Sequence, residues 1–63
     1  MKFRVRELRM AKGMSMDELA ARSGVSRGTI VHIECHQNAI VMSDTLLAIA
    51  KALGVKVDDI LAE

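Results

Sequence analysis

Residues 16–35 constrain this chain more than any other stretch. They read Met16-Asp17-Glu18-Leu19-Ala20-Ala21-Arg22-Ser23-Gly24-Val25-Ser26-Arg27-Gly28-Thr29-Ile30-Val31-His32-Ile33-Glu34-Cys35. Ala20 is small where two helices have to approach closely. Gly24 follows four residues later, where a chain leaving a helix takes a positive φ and only glycine does so without steric conflict. Val25, Ile30 and Ile33 then offer the apolar contacts that hold a second helix across the first. Two steeply crossed helices joined by a short turn form a helix-turn-helix, whose second helix is shaped to lie in a DNA major groove. Double-stranded DNA is therefore the expected partner.

The remaining punctuation divides the chain into five helical stretches. The first is predicted over about residues 3–12, with Val5 and Leu8 on one face and Gly13 as its stop. Ser15 caps the second, and Ser15-Met16-Asp17-Glu18 has the form of a capping box, in which hydroxyl and carboxylate satisfy opposite amides. Ser26 caps the third. Ser43 is read as the cap of a fourth, along which Leu46, Ile49, Ala50 and Leu53 recur at helical spacing until Gly54. A last short helix is expected from Val57 to Leu61, its acidic start (Asp58, Asp59) suiting the helix dipole. No segment of useful length alternates as a strand would, so the expected fold class is all-α.

Sixty-three residues, half of them hydrophobic with Phe3 the only aromatic, imply one small domain over 1–63 with an aliphatic core near the lower size limit for unaided folding. The apolar runs are too short to span a membrane, and Lys2, Arg4 and Arg6 lead into no signal-peptide core. A lone Cys35 excludes an internal disulfide framework and fits a reducing cytoplasm. Net charge is only +1, but residues 1–27 carry +4 and residues 28–63 carry −3, which allows a basic face. No carboxylate pair, nucleophile–base combination or phosphate-cradling glycine loop stands out. The expectation is a binding protein rather than an enzyme, with no cofactor and no small-molecule substrate.

The motifs Val5-Arg6-Glu7-Leu8-Arg9, Lys12-Gly13-Met14-Ser15, Glu18-Leu19-Ala20, Ser23-Gly24-Val25-Ser26, Thr29-Ile30, Ile33-Glu34 and Thr45-Leu46-Leu47-Ala48-Ile49-Ala50-Lys51-Ala52-Leu53-Gly54-Val55 together resemble the phage-repressor (Cro and lambda-repressor-like, XRE-type) helix-turn-helix family. The resemblance covers nearly the whole chain and is thinnest around residues 35–42. It implies a compact five-helix domain with the helix-turn-helix at 16–35, acting as a cytoplasmic homodimer on a palindromic operator and regulating transcription, as a repressor. It also places Arg9 and Glu34 where that family carries a structural ion pair between the first helix and the end of the third.

On this reading Ser15, Met16, Ser26, Arg27, Gly28, Thr29, His32, His36, Gln37 and Asn38 are the candidate DNA-contacting residues. Arg27 opens the recognition helix and suits the two acceptors of guanine; His32, further along, suits guanine or phosphate. Thr29 suits a phosphate or a thymine methyl, while Ser15, His36, Gln37 and Asn38 suit the DNA backbone. Departures from the family accompany these. Met16 replaces a favoured Gln and leaves only its backbone amide as a donor. Gly28 brings no side chain to a position where others read bases, so it serves either close backbone approach or nothing specific, and Val31 either meets a thymine methyl or packs inward. The loop Cys35–Met42 has no Lys or Arg, which reduces counterion release and non-specific affinity. Ile40, Val41 and Met42 either pack beneath that loop or form a dimer interface.

Two other function classes fit the same residues. One is a protein-interaction module, antitoxin-like or coactivator-like, that keeps the fold with little operator binding. The other is a metal- or redox-responsive regulator, since His32, Cys35 and His36 share a helix face at i, i+3 and i+4, although they lack a clear fourth ligand.

Overall fold

The computed structural model describes residues 2–36 and 40–62. Its elements run β1 (Lys2–Phe3), α1 (Val5–Ala11), α2 (Met16–Ser23), α3 (Arg27–Cys35), α4 (Ser43–Leu53), α5 (Val57–Ile60) and β2 (Leu61–Ala62). Five helices form in the expected order, and their apolar faces converge. Val5, Met14, Leu19, Ile30, Ile33, Ile49, Ala50, Leu53 and Ile60 form one aliphatic core, with Phe3, Leu8, Ala20, Val25 and Leu46 packed at its margin. Helix α2 packs against both α3 and α4.

Local chemistry explains the boundaries. Ser15 Oγ accepts from Glu18 N at 3.0 Å and starts α2, while Ser26 Oγ accepts from Thr29 N at 3.2 Å and starts α3. Gly24 and Gly54 end α2 and α4 with φ of 74° and 71°. A Cβ at Gly24 would meet nothing within 4 Å, so the left-handed backbone rather than crowding demands glycine there. At α5, Lys56 N donates to Asp59 Oδ2 at 3.0 Å, an acidic side chain closing back on the helix start.

Four details differ from the sequence reading. The termini pair as a two-residue antiparallel ladder, Lys2 opposite Ala62 and Phe3 opposite Leu61, and Arg4 N extends it by donating to Ile60 O at 2.7 Å. A ladder this short shows no alternation, and its residues lie at opposite ends of the sequence. Helix α1 is shorter than expected at its start, because Phe3 belongs to that ladder, and Leu61 leaves α5 for the same reason. Helix α4 has Met42, not Ser43, as its N-cap, with no side-chain cap bond; Met42 O accepts from Leu46 N at 3.0 Å and the helix starts one residue earlier than the serine signalled. Finally, Glu18 turns away from its capping box, its Oε2 lying 2.8 Å from Arg22 Nη2 one helical turn on.

One buried polar group ties three segments together. Arg9 on α1 donates from Nε and Nη2 to the two carboxylate oxygens of Glu34 on α3, at 2.9 and 3.1 Å. Its Nη1 donates to Met14 O, in the turn before α2, at 2.7 Å. The Glu34 side chain is 1% exposed and that of Arg9 11%. The Glu34 hydrogen bond raises the Arg9 pKa, desolvation opposing it and Coulomb attraction adding to it. A raised basic pKa keeps this contribution intact below the ordinary arginine value and loses it only above the folded one, in strong alkali. The guanidinium is therefore no pH switch.

Candidate nucleic-acid interface

Helix α3 has two faces because Ile30 and Ile33 must be buried. Burying them turns Arg27, Gly28, Thr29, His32, Cys35 and His36 outward, all of them exposed, with Val31 half-buried at the boundary. This outward face begins at a capped N-terminus whose first-turn amides point out of the helix, where they favour an anion such as phosphate. Ser26 and Thr29 add hydroxyls. Their oxygens lie 2.8 Å apart. Two hydroxyl protons serve one mutual bond, so one proton remains to donate outward whichever oxygen is the donor.

The start of α2 adds a second anion-directed patch. Ser15 accepts its capping bond and keeps its own proton for donation. Met16 is half-buried and its side chain packs against the core, which leaves its contribution to a partner at the backbone amide. The thioether thus fills space rather than reaching outward.

Arg27 is not extended into solvent alone. Its Nε lies 2.8 Å from Oδ1 of Asp17 in the first turn of α2, joining the starts of the two helices; the side chains are 60% and 79% exposed. Sequence reasoning missed this pair, because its members stand ten residues apart on different helices and meet only through the turn that joins α2 to α3. The His32 and His36 rings lie against each other in a tilted arrangement, with centroids 4.5 Å apart at an interplanar angle of 45°. Cys35 is exposed but does not complete a ligand set with them: among the described residues no group of three His, Cys, Asp or Glu is placed to hold a metal ion. Gln37 and Asn38 lie outside the described residues. Of the loop's apolar residues, Val41 is half-buried while Ile40 is 97% and Met42 71% exposed, so the latter two do not pack beneath the loop.

Gly28 gives the face a testable peculiarity. It sits in ordinary helical conformation, and a Cβ there would meet nothing within 4 Å. Gly28→Ala is expected to raise stability by up to about 0.5–1 kcal/mol, measured by thermal melting. If Gly28 serves close approach of the backbone to a partner, the same variant weakens duplex binding although the fold is firmer.

Residues 5–60 match the helix-turn-helix family across all five helices. The chain belongs to that family. The solved structure of the restriction-modification controller protein C.AhdI from Aeromonas hydrophila is similar to it, at 36% identity and a TM-score of 0.81, covering 89% of this chain and 83% of that one. Among curated proteins no relative matches. At the level of class, this helix-turn-helix chain is a DNA-binding transcription regulator. No described helix is long and apolar enough to cross a membrane.

Proposed function

We propose that this chain is a sequence-specific regulator that binds a palindromic operator as a homodimer in the cytoplasm and represses transcription by occupying it. The observation that carries the reading is the outward face of α3. A capped helix start, an arginine, a paired hydroxyl set and an imidazole lie on the one surface that the helix-turn-helix leaves free to enter a major groove. In this reading Arg27 reads a guanine, His32 contributes a second polar contact, and Ser15, Ser26 and Thr29 with the α2 and α3 amides hold phosphates. Similarity to a restriction-modification controller protein supports a regulatory role. Selection of bound duplexes from a random pool tests it: an inverted repeat should be enriched, with half-sites about one helical turn apart, roughly 34 Å. Recovery of unenriched sequence would refute it.

The homodimer rests on apolar surface that the single chain leaves uncovered. Ile40 and Met42 stand out from the start of α4, and Leu47, 47% exposed, lines an open depression of about 420 Å³ between α2 and α4. Arg22, Asp44 and Lys51 on its rim give both signs of charge to a self-complementary contact. Sedimentation equilibrium at high micromolar concentration should give about twice 6.9 kDa for the native chain. Ile40→Lys with Met42→Lys should shift that mass to the monomer while leaving the helical signal intact. A native chain that stays monomeric, alone and on DNA, would contradict the dimer.

A further inference from the structure

The Asp17–Arg27 pair joins the two helices at the point where a partner would enter, and an exposed pair of this kind contributes little to stability. We propose that Asp17 is a positioning residue for base reading: it holds the Arg27 guanidinium by Nε and presents the opposite edge of the fork to DNA. This inference rests on Arg27 being the base reader. The guanidinium has five N–H donors, one on Nε and two on each Nη. With Nε engaged by Asp17 Oδ1 at 2.8 Å, the side-on edge that includes Nε is occupied. The end-on edge, one hydrogen from each Nη, remains and matches the O6 and N7 acceptors of guanine.

The same contact solves a charge problem. Asp17 lies next to Ser15 and Met16, where phosphates would gather, and a carboxylate there repels them. Pairing with Arg27 cancels that field locally and fixes a long side chain before DNA arrives, so less rotamer freedom is lost on binding. Asp17 therefore trades general attraction for selectivity at one base pair.

The test is a double-mutant cycle read by fluorescence anisotropy on the duplex recovered from a random pool and on its single-base variants. Asp17→Ala should weaken that duplex about three- to tenfold, the range available from ordering one long side chain in advance. The loss should fall at the same base pair that Arg27→Ala relaxes, with an unchanged melting temperature and with binding to unrelated duplex at low salt equal or tighter. Asp17→Asn, which keeps an oxygen acceptor, should lie between. In the Arg27→Ala background, Asp17→Ala should change nothing at that base pair. Uniform tightening on every duplex would make Asp17 merely a repulsive charge and overturn the proposal, as would uniform weakening. If Arg27→Ala relaxes one position while Asp17→Ala leaves it intact, this inference alone fails; if Arg27→Ala alters no base preference, the underlying assignment of Arg27 fails with it.

Discussion

Arg9→Ala is expected to remove about 3–5 kcal/mol of folding stability, because it leaves a carboxylate buried without its counter-charge. Glu34, whose side chain is 1% exposed, would lose both hydrogen bonds from the guanidinium, and the Met14 carbonyl would lose a third. Glu34→Ala should cost less, since Arg9 is 11% exposed, keeps its bond to Met14 and has an edge that water can reach. For 63 residues at about 0.05–0.15 kcal/mol each, total stability is only about 3–9 kcal/mol, so either variant falls near the threshold of folding. Replacing both partners together, Arg9→Ala with Glu34→Ala, should cost less than the two losses added together, because no buried charge is then left unpaired. Urea titrations of the four proteins measure this. Strictly additive losses would show that the two side chains are not coupled and that α3 is seated by its isoleucines alone.

Arg27→Ala should leave the fold nearly untouched and change what the protein recognises. Its side chain is 60% exposed and its partner Asp17 79%, so screening leaves little stability in the pair. If the fork binds guanine, its removal costs about 1–3 kcal/mol of specific affinity, roughly five- to 150-fold, and relaxes preference at one base position per half-site. Binding to unrelated duplex should weaken as well, evenly across sequences, because Asp17 is then left uncompensated beside the phosphates. His32→Ala should cost less than Arg27→Ala, and Lys12 or Lys51 replacements should act evenly across sequences if at all. Anisotropy titrations against the selected operator and a scrambled duplex separate these patterns. An operator bound equally well, with equal base preference, by the Arg27→Ala protein would place the recognition surface elsewhere.

Much of the fold was legible because its signals are local. Ser15 and Ser26 accept the capping bonds expected of them, and Gly24 and Gly54 take positive φ where their helices stop. Ile30, Ile33, Ile49 and Leu53 are buried as their spacing requires. The outward set on α3 follows from the same spacing, since burying Ile30 and Ile33 leaves Arg27, Gly28, Thr29 and His32 no other side. What stayed hidden depends on distant or competing partners. The β1–β2 ladder joins residues from the two ends of the chain through backbone groups that every sequence has. Glu18 had two uses one turn apart and took Arg22. Asp17 and Arg27 stand ten residues apart on different helices, and only the turn between α2 and α3 brings them together. The Arg9–Glu34 position was indicated by family resemblance, whereas the third bond of Arg9, to a backbone carbonyl, carries no side-chain signature at all.

An amide chemical-shift titration of the isotopically labelled protein with duplex DNA at low salt reads out which face of the molecule binds. Binding through the outward face of α3 should move the amides of residues 15–17 and 26–32 most, in a salt-sensitive manner, with those of α1 and α5 little changed. Absence of any shift at low salt, or shifts confined to α4 and α5 while α3 stays still, would contradict recognition of DNA by the outward face of α3 and favour a protein-interaction role for this helix-turn-helix.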